Sequence, residues 1–402
     1  MTGKTTRDLT ASGAPASPTP DQRSLHEAEA AIPLVQVLGI DGRLLPGLEL
    51  GLDHERLLLL YRAMVRVRVV DDRMLMLQRQ GRIGFYGQAT GQEASVIGSA
   101  AALERVDWVV PALREGGVAT YRGYPLVRMI AQLAARDEEV SRGRQMPCHY
   151  TWREGNYVSM SSVIATQIPH ATGIARAAQL LGHEVVVLCY LGDGATSESD
   201  FHCGLNFAAV WKAPVVFFCQ NNQWAISVPF AKQTATRTIA IKARAYGIPG
   251  VRVDGNDVVA VFQETKKAVE HARAGRGPVL IEAVTYRRKG HSSSDDPTRY
   301  RSPEEVSSWE EKDPIERVKQ FLVRENRWSK EPQERLEEEI HREISEAIRA
   351  VESQRDPSPE SLMTDVFAAR TPQQSEQLES LLGSIRSRAT VGSSTKDGTR
   401  HG

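Results

Sequence analysis

Residues 184–222 read EVVVLCYLGDGATSESDFHCGLNFAAVWKAPVVFFCQNN and contain two apolar segments that predict buried β-strands. These segments, 184–191 and 214–220, show no alternation of polar and apolar residues, which is typical of parallel strands covered by helices on both faces. Residues 199–212 between them have a helical pattern. A strand, a helix and a second strand in this order predict a βαβ unit with two parallel strands.

The alternation of strands and helices continues on both sides of this unit. Three more short strands are predicted at 107–113, 251–255 and 278–286. Further helices are predicted at 53–80, 92–104, 124–136, 164–181, 235–246 and 257–274. This order of elements predicts an α/β fold, with a doubly wound and mostly parallel sheet that carries helices on both faces.

Changes in composition divide the chain into segments. Residues 1–30 are rich in Thr, Ser, Ala and Pro and lack periodicity, which predicts disorder. After Ser302 the chain is charged, and one predicted helix carries an apolar stripe at Leu336, Ile340, Ile344 and Ile348. We therefore expect a disordered N-terminus (1–30), an extended arm (31–52), the α/β domain (53–302), a helical extension (303–370), and a weak helix with a disordered tail (371–402).

The overall composition excludes several classes of function. The 402 residues include 50 Lys and Arg against 50 Asp and Glu, so the chain lacks the basic excess of a nucleic-acid-binding protein. No apolar run approaches the roughly 18 residues that span a bilayer, and the N-terminus has no apolar signal segment. We expect a soluble, cytoplasmic protein that binds neither nucleic acid nor membrane. Because no CxxC spacing occurs, we expect reduced thiols rather than disulfides or a thiol metal site at Cys148, Cys189, Cys203 and Cys219.

Polar residues follow four of the predicted strands. Ligands of an open parallel sheet bind beyond the carboxyl ends of its strands. The polar residues found there are Arg114, Asp193, Asn222 and His291. Since the carboxyl ends of parallel strands meet at the same edge, the sequence predicts one functional site that these four residues share.

The pair Asp193 and Asn222 predicts a metal site. One βαβ unit joins the two residues, and neighbouring strands lie about 4.8 Å apart. Mg²⁺ prefers oxygen ligands and usually takes one or two carboxylates together with phosphate oxygens. The glycines beside Asp193 let the backbone approach a ligand, and the N–H groups that open helix 199–212 favour a phosphate. With a backbone carbonyl near Trp224, these residues predict a site for Mg²⁺ and a diphosphate.

The motif GDG, followed after 26 residues (195–220) by NN, resembles the fingerprint of thiamine-diphosphate enzymes. Longer segments resemble the α subunit of the E1 component of 2-oxoacid dehydrogenase complexes. They are RQMPCHYTWREGNYVSMSSVIATQIPHATG (144–173), GDGATSESDFHCGLNFAAVWKAPVVFFCQNNQWAIS (192–227), RVDGNDVVAV (252–261) and VTYRRKGHSSSDDPTRYRS (284–302). The resemblance extends from about residue 31 to about residue 370. Within that family, it is closest to the branched-chain, or 2-oxoisovalerate, members.

The resemblance implies roles for the matched positions. The metal would be held by the side chains of Asp193 and Asn222 and by the carbonyl of Trp224. Thiamine diphosphate would be contacted by Arg114, Ser162, Ile164, Gly194, Ala195, Gln220 and His291. His291 would also lie near the reacting carbon and move protons. A structural K⁺, as in branched-chain members, would be held by Ser161, Val163, Thr166 and Gln167.

Two positions depart from the pattern of the family. Leu113 stands where the family usually has an aromatic residue that contacts the cofactor. Gln220 stands where some relatives have an arginine that binds the diphosphate. Neither departure removes a metal ligand, so we expect both to change the affinity for the cofactor rather than its identity.

The resemblance also implies partners. The carboxylate that activates the cofactor belongs to a second α/β domain, and too few strands are predicted here to form one. The implied assembly is an α₂β₂ heterotetramer with an E1β subunit, which decarboxylates a small branched-chain 2-oxoacid and transfers the acyl group to a lipoylated E2. The chain alone is then expected to be inactive.

Several alternatives stay open at this stage. Pyruvate or acetoin could replace the branched-chain substrate, and a non-catalytic scaffold could keep the fold. A nucleotide-binding module would need GxGxxG or GxxxxGK[ST] after a strand, and neither motif occurs. The serines at 292–294 are interpreted as part of a flexible active-site loop, with phosphorylation as the alternative.

Overall fold

The computed structural model describes residues 32–364 and 366–394 of the chain. The predicted disordered N-terminus (1–30) and the end of the predicted tail (395–402) lie outside the described residues. Within these ranges, no helix is long and apolar enough to cross a membrane.

Six parallel strands of the described chain form a central sheet, and two short strands form a separate antiparallel hairpin. In chain order the strands are β1 (Leu34–Val35), β2 (Trp108–Val110), β3 (Val187–Gly192), β4 (Val215–Asn221), β5 (Trp224–Ala225), β6 (Val228–Pro229), β7 (Gly250–Asp254) and β8 (Val279–Val284). The order in the sheet is β1-β7-β8-β4-β3-β2. The predicted βαβ unit is confirmed, because β3 and β4 are parallel neighbours.

Helices cover both faces of the sheet. In chain order the α-helices are α1 (His54–Arg79), α2 (Glu93–Ala101), α3 (Gly116–Tyr121), α4 (Leu126–Leu133), α5 (Gln167–Leu180), α6 (Ser199–Trp211), α7 (Val258–Arg273), α8 (Pro303–Glu310), α9 (Pro314–Arg324), α10 (Lys330–Glu352), α11 (Ser361–Thr364) and α12 (Pro372–Ser394). Successive side chains of a strand point to opposite faces. On β3, Leu188 and Tyr190 therefore join one apolar core with α1, α2 and α7, whereas Cys189 and Leu191 join a second core with α5 and α6. The predicted fold class is confirmed.

The predicted helix at 235–246 is wrong over its first residues. The structure contains only a 3₁₀ helix there, Ala240–Tyr246. The N–H of Thr236 donates to Oγ1 of Thr234 at 3.3 Å, and the hydroxyl of Thr236 donates to the carbonyl of Thr238 at 3.0 Å. Threonine side chains that bond nearby backbone groups compete with the hydrogen bonds of a helix. The local bonding of these threonines therefore delays the start of the helix.

The segment expected as an extended arm contributes an edge strand to the sheet. Its strand β1 pairs in parallel with β7. The buried carboxylate of Asp257 accepts hydrogen bonds from the backbone N–H groups of Val37 and Leu38, each at 2.7 Å. The same side chain caps the N-terminus of α7. One carboxylate thus fixes both the arm and the start of a core helix.

The helices after residue 302 pack against the body of the fold. Helix α10 contacts α1 and α4. Its predicted apolar stripe is buried in the first core, at Leu336, Ile340, Ile344 and Ile348. The weak helix expected near the C-terminus is α12, and it extends over 23 residues.

Replacing Arg317 with leucine should lower the free energy of unfolding by roughly 3–5 kcal/mol. Arg317 on α9 is 1% exposed, and its Nη1 lies 2.8 Å from Oδ2 of the buried Asp254. The substitution leaves that carboxylate without its cation, which is the costly part. Urea unfolding of the full chain measures the loss.

The matched control is Lys319→Leu on the same helix. Lys319 pairs with Glu316 at 3.3 Å, and both side chains are exposed. An exposed pair contributes about 0–1 kcal/mol, so this variant should unfold close to the wild type. Similar losses in the two variants would contradict a structural role for the buried pair.

Candidate active site

The carboxyl ends of β3 and β4 place Asp193 and Asn222 next to each other. Gly192, the last residue of β3, pairs with Gln220 of β4. Asp193 is buried, with 1% of its surface exposed. Its Oδ2 is buried and has no hydrogen-bond partner among the described residues. Burial raises the pKa of Asp193 to about 6.

Two further oxygens that the sequence predicted as metal ligands lie just beyond β4. The Oδ1 of Asn222 accepts a hydrogen bond from the backbone N–H of Trp224 at 3.2 Å, and its Nδ2 lies 3.2 Å from Oε1 of Gln92. The carbonyl oxygen of Trp224 accepts a hydrogen bond from Nη1 of Arg287 at 3.1 Å. Since a carbonyl has two lone pairs, one stays available for a cation.

This set of oxygens fits a magnesium ion bound to a diphosphate. A buried carboxylate oxygen without a partner is unfavourable unless a cation or a donor meets it. The part of the chain that the structure describes holds no group of three or more His, Cys, Asp or Glu suited to a metal. Phosphate and water would then complete the ligands, as is usual for Mg²⁺.

Gly194 and Ala195 follow the acid in the 3₁₀ helix Asp193–Ser197. A Cβ added at Gly194 would lie 2.6 Å from the Cβ of Ala225, which is closer than real Cβ atoms approach. The turn after β3 can therefore pack against the β5–β6 hairpin only with glycine at this position.

Arg114 and His291 form a second cluster of predicted site residues. The Nη2 of the buried Arg114 donates to the carbonyl of His291 at 2.8 Å and lies 3.4 Å from its Nδ1, while Nη1 donates to the carbonyl of Gln88. Burial and the charge of Arg287 lower the pKa of Arg114 to about 10, so it stays cationic at pH 7. Burial and the two nearby guanidinium groups lower the pKa of His291 to about 4, so its ring is neutral at pH 7.

The loop that carries His291 has an internal hydrogen bond and is attached to the rest of the fold at Tyr86. The backbone N–H of His291 donates to Oδ2 of Asp295 at 2.6 Å. Ser293 exchanges two hydrogen bonds with Tyr86, at 2.9 and 3.1 Å. The segment predicted as a flexible serine loop thus has defined contacts on both sides of Ser292.

Ser162 and Ile164 lie in the segment before α5, and both are exposed. The Oγ of Ser162 lies 2.7 Å from Nε2 of His149. The side chain of Ile164 is 58% exposed, and that of its neighbour Val163 is 68% exposed. Apolar side chains this accessible leave one side of the segment open to a ligand or a partner.

The four residues predicted to hold K⁺ lie in the same segment and its turn into α5. The Oγ of Ser161 accepts from the N–H of Val163 at 3.2 Å, and the carbonyl of Val163 accepts from the N–H of Thr166 at 3.4 Å. The Nε2 of the buried Gln167 donates to the carbonyl of Tyr190 at 3.0 Å. Since the amide donates through its nitrogen, Oε1 of Gln167 is free to accept or to bind a cation.

The two departures from the family pattern occupy different surroundings. The Nε2 of Gln220 donates to Oε1 of Glu115, whose Oε2 accepts from the N–H of Ala112 at 2.8 Å. The Oε1 of Gln220 is buried without a partner in the described chain. Leu113 packs near Gly87, where an added Cβ would lie 3.4 Å from its Cδ2. Gln220 therefore contacts a buried acid, whose charged form an arginine at this position would stabilise.

Sequence reasoning missed several buried polar residues around the site, namely Asp71, Gln92, Glu115, His149 and Arg287. Asp71 accepts hydrogen bonds from the hydroxyl of Tyr86 at 2.8 Å and from the N–H of Ala89 at 2.7 Å, and burial raises its pKa to about 7. Its spacing from Val67 and Met74 places it on the buried face of α1. Helical periodicity was therefore a usable signal for Asp71.

The part of the chain that matches known proteins includes the residues of the candidate site. A family model described as dehydrogenase E1 component matches residues 61–360. The α subunit of human mitochondrial 2-oxoisovalerate dehydrogenase is 42% identical over 354 residues, which cover 88% of this chain and 80% of the human one. The 3-methyl-2-oxobutanoate dehydrogenase subunit alpha of Mycobacterium tuberculosis is 43% identical over 357 residues, covering 86% of this chain and 93% of that protein.

Replacing Glu115 with glutamine should make the stability of the chain less sensitive to pH. Burial raises the pKa of Glu115 from 4.5 to about 7, so the fold favours the neutral acid. Glu115 contributes roughly 3 kcal/mol to the free energy of unfolding below pH 4.5. This contribution is lost as the pH rises through 7. The variant should therefore lose less unfolding free energy than the wild type between pH 5 and pH 8, as measured by urea unfolding.

The control for this measurement is Glu311→Gln, which makes the same change at an exposed carboxylate. It should follow the pH dependence of the wild type, because an exposed carboxylate has similar surroundings in the folded and unfolded chain. A Glu115→Gln variant with the wild-type pH dependence would refute the buried neutral acid.

Proposed function

This chain belongs to the dehydrogenase E1 component family, and we propose that it is the α subunit of a branched-chain 2-oxoacid dehydrogenase E1. It takes part in the oxidative decarboxylation of 2-oxoisovalerate and related acids and in acyl transfer to the lipoyl group of E2. Relatives that are 42% and 43% identical are named 2-oxoisovalerate dehydrogenase and 3-methyl-2-oxobutanoate dehydrogenase, which supports a branched-chain substrate over pyruvate or acetoin.

One observation carries the proposal of a cofactor site. The buried Asp193 keeps one carboxylate oxygen without a partner in the described chain, at the strand edge that it shares with Asn222. Asp193, Asn222 and the carbonyl of Trp224 would hold Mg²⁺. The backbone at Gly194 and Ala195, together with Arg114 and Gln220, would meet the diphosphate.

Thiamine diphosphate, when bound, supplies the electron sink that allows a 2-oxoacid to lose CO₂. This chain positions the reacting groups and moves protons. Arg114 donates toward Nδ1 of His291, so the neutral ring carries its proton on Nε2. That N–H can be donated to an oxygen that gains negative charge. The negative charges of bound diphosphate and 2-oxoacid would raise the pKa of His291 from about 4 toward neutrality, where acid–base catalysis is most effective.

The segment before α5 would contribute further contacts to the cofactor. Ser162 and Ile164 would contact it directly. Oxygens of Ser161, Val163, Thr166 and Gln167 would hold a K⁺ that fixes the fold of this segment. The exposed Val163 and Ile164 support the proposal that an E1β subunit covers this side and contributes the remaining residues.

The proposed function predicts that activity needs a second subunit. The full chain is co-expressed with a candidate E1β subunit, and decarboxylation is followed with an artificial electron acceptor. We expect turnover that depends on thiamine diphosphate and Mg²⁺ and that has a higher kcat/KM for 2-oxoisovalerate than for pyruvate. The purified single chain should give no turnover. Activity of the single chain, or a preference for pyruvate, would refute the corresponding part of the proposal.

The matched variant in this assay is Asp193→Asn, which keeps the shape and removes the charge that would bind Mg²⁺. It should abolish Mg²⁺-dependent binding of thiamine diphosphate, measured by calorimetry. The control Glu346→Gln makes the same kind of change at an exposed site on α10 and should bind normally.

Replacing His291 with alanine should reduce acyl transfer more than cofactor binding. Loss of a positioned acid–base group reduces a rate by about 10²–10⁴-fold. We therefore expect the rate with lipoylated E2 to fall by at least about 100-fold, while the dissociation constant of thiamine diphosphate changes less than about tenfold. Single-turnover acylation and calorimetry measure the two quantities. A variant that binds the cofactor poorly but still acylates E2 at the wild-type rate would refute this role.

A further inference from the structure

His149 is a buried histidine whose two ring nitrogens are both engaged. The residue is 6% exposed. Its Nδ1 lies 3.2 Å from the carbonyl oxygen of Pro147, and its Nε2 lies 2.7 Å from Oγ of Ser162. Ser162 is itself exposed. The histidine therefore connects the interior of the fold to an exposed hydroxyl in the segment before α5.

These contacts select one tautomer of His149. A carbonyl oxygen can only accept, so Nδ1 of the neutral ring carries the proton and Nε2 presents its lone pair. The hydroxyl of Ser162 then donates its only proton to Nε2. The competing acceptor is Sδ of Met146 at 3.9 Å from Oγ of Ser162. Since a thioether sulfur is a weak acceptor and lies farther away, the imidazole takes the proton.

The imidazole is held on a rigid turn. The backbone N–H of His149 donates to the carbonyl of Met146 at 3.1 Å, and Nε2 of the buried Gln132 on α4 donates to the same carbonyl at 2.7 Å. Cys148 in this turn has a φ of 71°, in the left-handed region that side chains other than glycine rarely adopt. Such a conformation persists only where its surroundings fix it. The ring is therefore fixed in position before any ligand binds.

We infer that His149 is a positioning residue that orients the Ser162 hydroxyl as a hydrogen-bond acceptor toward the bound cofactor or substrate. The inference rests on the proposed function, in which Ser162 contacts that ligand. Because the proton of the hydroxyl is committed to His149, only oxygen lone pairs face the open side. The site consequently favours an N–H or O–H group of the ligand at this position and disfavours a carboxylate or carbonyl oxygen.

A double-mutant cycle in the α–β holoenzyme tests the positioning role. The variants are His149→Leu, Ser162→Ala and the double variant, with kcat, KM and the dissociation constant of thiamine diphosphate measured for each. His149→Leu should lower kcat/KM by about tenfold, the effect of one oriented hydrogen bond. In the Ser162→Ala background, His149→Leu should lower kcat/KM little further, because the two residues act as a unit.

Two further variants separate positioning from a general loss of structure. His149→Gln places an amide oxygen near the position of Nε2 and should restore most of the lost kcat/KM. His341→Leu removes an exposed histidine on α10 and should leave all three constants unchanged. Independent losses that multiply in the double variant, or a folded His149→Gln variant without any rescue, would overturn the inference.

A measurement without cofactor or substrate separates this inference from the proposed function. In the ¹⁵N-histidine-labelled full chain, NMR should show His149 as the neutral Nδ1–H tautomer. Its resonances are assigned as those that disappear in the His149→Gln variant. Its Nε2 resonance should shift in Ser162→Ala. An Nε2–H tautomer would overturn the inference even if the enzyme decarboxylates 2-oxoacids. Absence of 2-oxoacid turnover with the predicted tautomer intact would instead refute the proposed function.

Discussion

The parallel register between β3 and β4 is the constraint on which the candidate site depends. Both strands are buried on both faces, and their pairing runs from Val187 opposite Val215 to Gly192 opposite Gln220. A slip by one residue would exchange the side chains of the two cores, so packing fixes the register strongly. The residues after the strands inherit this alignment. A carboxylate with one oxygen that has no partner among the described residues therefore lies beside an amide.

Two buried arginines lie close enough at the site for their charges to interact. Arg114 and Arg287 are both buried, and the charge of Arg287 lowers the pKa of Arg114. Both cations also lower the pKa of His291. An anion bound between them would relieve this repulsion and would shift the imidazole toward its charged form. The arrangement therefore favours an anionic ligand. Because buried charges are costly, the fold is less stable than it would be with apolar residues of similar volume at these positions.

The sheet, and the meeting of Asp193 and Asn222 at one of its edges, could be predicted from sequence because both leave local signals. Buried parallel strands give continuous apolar runs, and the polar residues that end them, such as Asp193 and Asn222, follow directly in the chain. The contact between Gln220 and Glu115 could not be predicted, since the two residues are 105 positions apart and no sequence pattern around either one marks the pairing. The same holds for His149, whose partner is fixed by a turn with a left-handed residue rather than by any periodic pattern.

The buried acids near the site bear on the proposal that a second subunit completes it. Asp71 is committed to Tyr86 and Ala89, and Glu115 is committed to Ala112 and Gln220. Asp193 would be committed to a metal ion. None of these three carboxylates is free to act on a distant part of a bound cofactor without losing the contacts that hold the site together. Ser162, by contrast, is hydrogen-bonded to the buried His149 on its inner side and exposed on its outer side. A site that is rigid within and open at one side is suited to completion by a partner, which would bring the missing carboxylate.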